Sequence, residues 1–209
     1  RPVNLQVGHG TIVSATIKDF QSGSLEKTDN PLEFAIDGEG FFMVLGPRDD
    51  ILYTRDGSFK ISLTDTGKML TTSEGYPILD EFGTEIIFDY DFDLSSLNVS
   101  EVGDLSYTDE EGVTTPFGQR IGIVGFENMS GLESVGRNLY AITSASGAAV
   151  PNEELINKSI LRQRYLETSN VQVVEEMVKL IVAQRAYELN SKAIQSSDEM
   201  IGMANNLKR

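Results

Sequence analysis

The stretch after Asn170 constrains this chain more than any other part, because it spells one long helix with apolar residues on two faces. Ser169-Asn170 reads as an N-cap pair, and the run from Val171 to Leu207 has no proline and one late glycine, Gly202. Val173, Leu180, Tyr187, Ile194 and Ile201 recur every seven residues. Val182, Ala186, Leu189, Ala193, Ser196, Met200, Met203 and Leu207 recur in alternating steps of four and three. At about 100° per residue the two stripes lie on different sides of the helix. A helix on the surface of a globular domain needs one apolar face. A helix with two requires cover on both, so the expectation is an assembly element rather than a lid.

The residues before it follow another rhythm. Thr11–Ile17 is rich in β-branched residues and reads as a strand. Glu33–Ile36 and Phe41–Leu45 are apolar runs either side of Asp37-Gly38-Glu39-Gly40, which predicts a hairpin. Ile51–Thr54 and Phe59–Leu63 flank Arg55-Asp56-Gly57-Ser58 and predict a second. Tyr76–Leu79 with Glu85–Phe88, Leu97–Val99 with Asp104–Tyr107 around a Val102-Gly103 turn, Gln119–Phe126 and Asn138–Thr143 extend the series. Turn signals every 8–12 residues or so mean an antiparallel, sandwich- or barrel-like β body. The small residues of Ser144–Asn152 read as a linker, and Ile160–Leu166 as an extended lead into the helix. The expected organisation is a β body over 1–143, linker and connector over 144–168, and an assembly helix over 169–207.

Charge separates the same two regions. The 209-residue chain carries a formal net charge of −15. From Val171 onward, acids (Glu175, Glu176, Glu188, Asp198, Glu199) and bases (Lys179, Arg185, Lys192, Lys208, Arg209) cancel, so the whole excess lies before the helix. An acidic body argues against nucleic acid or an anionic membrane as partner. No stretch approaches the ~18 apolar residues of a membrane-spanning helix, and no cleaved signal peptide is visible. The chain opens on Arg1, which suggests trimming at the N-terminus. With no cysteine there is no disulfide framework in any compartment.

The patterns of catalysis and ligation do not form. His9 is the one histidine, set between Gly8 and Gly10, so neither a His/Cys metal site nor a serine triad can be assembled from the usual parts. Gly8-His9-Gly10 continues into neither a phosphate loop nor a dinucleotide fingerprint. Asp89-Tyr90-Asp91-Phe92-Asp93 starts like a calcium loop, but Leu94 and Ser100 occupy the places of its glycine and glutamate. Those alternating acids read instead as a half-exposed strand, with a looser surface calcium site left open. Glu176, Gln184, Arg185 and Glu188 read as solvated or intersubunit groups. No cofactor, no metal and no enzyme are expected.

Several segments together resemble one family, the axial rod and hook proteins of the bacterial flagellar basal body. They are Asn30–Phe42, Tyr53–Phe59, Gly67 with Leu70, Gly75-Tyr76-Pro77, Phe126 with Asn128, Gly131-Leu132, Gly136–Tyr140, Leu166-Glu167 with Ser169-Asn170-Val171, Val174–Met177 and Gln184–Glu188. The resemblance implies that the terminal helix lines the inner tube of a helical polymer. There it packs on an N-terminal helix of its own chain and on helices of neighbouring copies, with the β body outside. It makes Asp37, Gly38, Gly40, Asp56 and Gly57 family turn positions. It also implies export without a cleaved signal peptide to the cell envelope, self-assembly, and contacts with neighbouring rod and hook proteins and with envelope ring proteins. Arg164 stands where the family usually has glycine. The chain has no room for the outer domains of a hook protein, so a rod member is expected. The Leu5–Gly10 opening and the long match from Ser169 to Glu188 favour a distal one, with a proximal-rod or hook-type sibling as the alternative. An extracellular β-rich binding module with a coiled-coil stalk is the reading from another class.

Overall fold

The structure is a computed structural model that describes residues 18–109 and 112–206. The expected strand Thr11–Ile17, His9 and Leu207 lie outside the described residues. The chain divides into two units, residues 1–168 and 169–209. The first is β-structured with antiparallel pairing in every ladder, and the second holds the helix Val173–Asn206. Mainly-β body followed by one helix is therefore the architecture.

A six-stranded sheet organises the body. Its order is Glu133–Gly136, Leu139–Ala141, Ile51–Thr54, Phe41–Leu45, Ile123–Gly125, Val150–Pro151. Phe41–Leu45 sits inside it and is buried on both faces, which explains its unbroken apolar run. Because side chains alternate across a strand, Phe42 and Val44 enter one core with Phe34, Leu52, Phe59 and Ile78. Phe41 and Met43 enter a second with Tyr53, Leu79, Val124 and Phe126. Two smaller three-stranded sheets (Lys60–Thr64, Gly67–Thr71, Ile87–Phe88; and Leu97–Val99, Asp104–Thr108, Thr114–Arg120) contribute to the first core.

Both expected hairpins of the N-terminal half turn out differently. Phe34–Asp37 pairs with Ile160–Gln163, not with Phe41–Leu45. Phe41–Leu45 pairs with Ile51–Thr54 around Gly46–Asp50, and Lys60–Thr64 with Gly67–Thr71. Asp37–Gly40 and Arg55–Ser58 are thus changes of sheet. At Gly57 the chain passes so close to Phe34 that a Cβ would lie 1.8 Å from the Phe34 carbonyl oxygen, and the Phe34 N–H donates to the Gly57 carbonyl at 3.0 Å. That crossing sends the chain out of one sheet and into the next. The Leu97–Val99/Asp104–Thr108 hairpin does form as read.

Residues 144–168 belong to the body rather than to a linker. Ser146 is fully buried, its hydroxyl accepting the Thr143 N–H at 3.0 Å, and a Cβ on Gly131 would strike the Ala145 backbone. Small residues are there for close packing, not for freedom. Val150–Pro151, Ile160–Gln163 and Tyr165–Glu167 each pair with a body strand. The Asp89–Asp93 stretch is a turn instead of a strand: Phe92 stacks on Phe88 at 5.0 Å. Asp93 caps the short helix Leu94–Ser96, accepting the Ser95 N–H at 2.9 Å and its hydroxyl at 2.6 Å, and those bonds hold its carboxyl below the usual range.

Candidate assembly surface

The terminal helix is long enough to be an axis. Its 34 residues reach about 50 Å at 1.5 Å each. No proline interrupts it, and Glu175 and Glu176 in the first turn face the positive end of the helix dipole. Glu176 meets Lys179 at 2.7 Å, and the Gln184 amide donates to Glu188 at 3.2 Å, both on the surface. The helix begins later than the Ser169-Asn170 cap suggests. The Ser169 hydroxyl accepts the Val171 N–H at 3.2 Å in a turn of its own, and the first helical bond in the ladder reaches back to Gln172.

The described members of both stripes are exposed: Val173, Leu180, Tyr187, Ile194 and Ile201 on one, Val182, Ala186, Leu189, Ala193, Ser196, Met200 and Met203 on the other. Leu180 stands 67% open to solvent and Tyr187 76%. Exposed Val174, Met177, Val178 and Ile181 add to them. At about 100° per residue, the first three turns are apolar over about 200° of circumference, with Glu175, Glu176 and Lys179 on the remainder. Beyond Tyr187 the apolar residues separate into two stripes roughly 130° apart, with Glu188, Ser191, Lys192 and Gln195 on the wider polar side. The helix therefore asks for one broad cover near its start and two narrower ones further along. The heptad and four-three spacings capture the second requirement. They miss the first, which the adjacent Val173-Val174 and Val178, Leu180-Ile181-Val182 make visible.

The last body strand before this helix is anchored by a partly buried ion pair. Tyr165–Glu167 pairs with Leu25–Lys27 over three residues. Glu167 receives Arg55 in a fork, Nε to Oε2 at 3.1 Å and Nη2 to Oε1 at 2.9 Å. The Arg55 and Glu167 side chains keep 13% and 15% of their exposure. Arg55 Nη1 donates to the Gly38 and Gly40 carbonyls at 3.0 and 3.2 Å, and Nη2 to the Ser22 hydroxyl at 3.3 Å. The Gly23 N–H donates to Glu167 Oε1 at 2.9 Å.

Of the turn positions that the resemblance implies, Gly38 and Gly40 lie at that anchor. Gly38 has φ +138° and lies against Ser159, where a Cβ would meet the Ser159 hydroxyl at 2.5 Å. Gly40 faces Ile123. Asp37 is on the surface, 3.8 Å from Arg162. Asp56 closes its own turn by accepting the Ser58 N–H at 3.0 Å, and Gly57 is the crossing beside Phe34. Arg55 and Glu167 stand in the same motifs but were not distinguished in the sequence, where any of the many acids is an equal partner for any arginine. Among the described residues no group of three or more His, Cys, Asp or Glu is placed to hold a metal.

Arg164 divides Ile160–Gln163 from Tyr165–Glu167 and takes φ +64°, a left-handed conformation that favours glycine. Its N–H donates to Glu33 and its carbonyl accepts from Thr28, both at 2.7 Å. The bend lets one segment pair first with Phe34–Asp37 and then with Leu25–Lys27.

Comparison with known proteins places the molecule. Residues 162–207 match the flagellar basal body rod FlgEFG protein C-terminal family, and residues 35–107 match the flagellar hook protein FlgE/F/G D1 domain. The flagellar basal-body rod protein FlgG of Borreliella burgdorferi is 46% identical over all of this chain and 77% of its own length. FlgG of Buchnera aphidicola subsp. Schizaphis graminum is 42% identical over 96% of this chain and 74% of its own. The hook-basal body complex protein FlhP of Bacillus subtilis is 32% identical over 99% and 76%. With both family domains in order, and this identity across the β body and the helix alike, the chain belongs to the flagellar basal-body rod protein family.

Proposed function

We propose that this chain is a structural subunit of the distal rod, the shaft that carries torque through the cell envelope to the hook, and that it polymerises helically through its terminal helix. The uncovered apolar faces of Val173–Asn206 carry this reading, because burial of that surface favours association by about 25 cal/mol per Å² before association entropy is subtracted. Head-to-tail contacts of this kind give an open helical polymer. The electrically balanced helix suits close packing, and the acidic body suits the outside of a shaft.

The incoming segment Leu25–Lys27 and the outgoing strand Tyr165–Glu167 leave the body side by side. This supports a partner helix from the residues preceding the chain as cover for one stripe, with helices of neighbouring copies covering the other. The partners in this reading are further copies, adjoining rod and hook proteins and the envelope ring. The site of action is the envelope outside the cytoplasm. The role is mechanical and not catalytic. Negative-stain microscopy with light scattering tests it on the chain joined to whatever precedes it in its gene. Straight tubes are expected, and a fixed dimer or trimer contradicts the reading in favour of a stalked binding module.

A further inference from the structure

Three motifs far apart in the sequence meet at one guanidinium. Arg55 offers five N–H donors in a fixed fork, and each has an acceptor among Glu167, the Gly38 and Gly40 carbonyls and the Ser22 hydroxyl. Thr54 beside it is buried, on a strand paired along both edges, so the donor set is mounted inside the six-stranded sheet of the body. The ribbon it secures is weak by itself, two strands of three residues each.

We propose that Arg55 is a latch that clamps the incoming segment and the outgoing strand to the Gly38–Gly40 turn, so that the chain enters and leaves the body at one fixed point and successive subunits keep a common register. Arg55 is in this sense a positioning residue. Its part in register rests on the reading of the chain as a polymer subunit, whereas the clamp itself belongs to the single chain. Without Arg55, the largely buried Glu167 carboxylate keeps, among the described residues, only the Gly23 N–H. A lysine cannot replace it, because its three donors radiate from one nitrogen, whereas Arg55 serves four groups from the three nitrogens of a planar fork.

Hydrogen exchange on Arg55→Met tests the clamp directly. The amides of Gly23, Thr28, Arg164 and Thr168 are expected to lose protection about tenfold or more, while those of Phe41–Leu45 and Ile51–Thr54 hold. Arg55→Lys is expected to give the same local loss. A uniform loss across the body, or none, overturns the latch. If Arg55→Met does not fold, Glu167→Gln is measured in the same way against the same pattern, because it keeps the side-chain shape and the Arg55–carbonyl bonds. Microscopy of Arg55→Met on the chain with its preceding gene segment then reads the register. Loss of helical order supports the proposal, and polymers as ordered as those of the unsubstituted chain overturn the register role. Failure of the unsubstituted chain to polymerise counts against the rod reading, and the exchange pattern alone then decides the latch.

Discussion

The body and the helix solve opposite problems with similar residues. In the body, Phe34, Phe41, Phe42 and Phe88 are fully buried, and tight glycine crossings and interleaved sheets give every strand a neighbour. In the helix, Leu180, Ile194, Met200 and Ile201 are mostly exposed. Hydrophobicity is not what distinguishes the two regions; what distinguishes them is where the cover comes from. The body buries two apolar cores within residues 18–168, leaving only scattered side chains such as Leu63, Phe82 and Ile156 on its described surface. The helix satisfies its backbone through its own ladder and leaves its apolar side chains exposed, the surface that in our proposal joins copies together.

The contrast can be broken most forcefully from the body side. Phe42 packs its ring on Phe59 at 4.9 Å with no exposure. Phe42→Ala is expected to cost about 3–5 kcal/mol of body stability, read as the lowered midpoint of a denaturant transition followed by a probe in the sheet. A cost near zero would mean that the two-core body is wrongly described. Gly57→Ala comes next. Its new Cβ meets a carbonyl of the main chain, which cannot swing aside as a side-chain end can, so a loss of about 2–3 kcal/mol is expected in the same titration. A neutral result there would place the Phe34–Gly57 crossing elsewhere.

A smaller change, of opposite sign, sharpens the boundary between the regions. Arg164 is exposed and left-handed. Arg164→Gly removes the clash of its Cβ with the chain, partly offset by the freedom glycine gains in the unfolded state, for a net gain of about 0.5–1 kcal/mol. Calorimetry should show a body transition a few degrees higher.

How much of this could be read from the residues depends on the range of the forces involved. The helix was legible because its period is local: Val173, Leu180, Tyr187 and the residues that follow carry their own geometry. Turns at Asp37–Gly40 and Arg55–Ser58 were legible for the same reason, since Asp and Gly accept unusual backbone angles with little dependence on context. Which strands those turns join was not legible. The partner of Phe34–Asp37 is Ile160–Gln163, more than a hundred residues on, and no local signal chooses it over nearby Phe41–Leu45. The Arg55–Glu167 anchor escaped for the same reason. The linker reading of Ser144–Asn152 failed because small residues favour flexibility and tight packing equally, and Ser146 beside Gly131 is a case of the second.

The smallest effect on the body should accompany the largest on assembly, at Leu180. It is exposed in the single chain, so Leu180→Asp is expected to shift body stability by no more than about 0.5 kcal/mol. The decisive measurement is light scattering with negative-stain microscopy on Leu180→Asp, in the chain joined to its preceding gene segment, beside a melting curve of the same sample. The account requires an unchanged body transition and no tubes. Tubes of ordinary length and straightness from that variant would contradict the assignment of the helix faces to assembly.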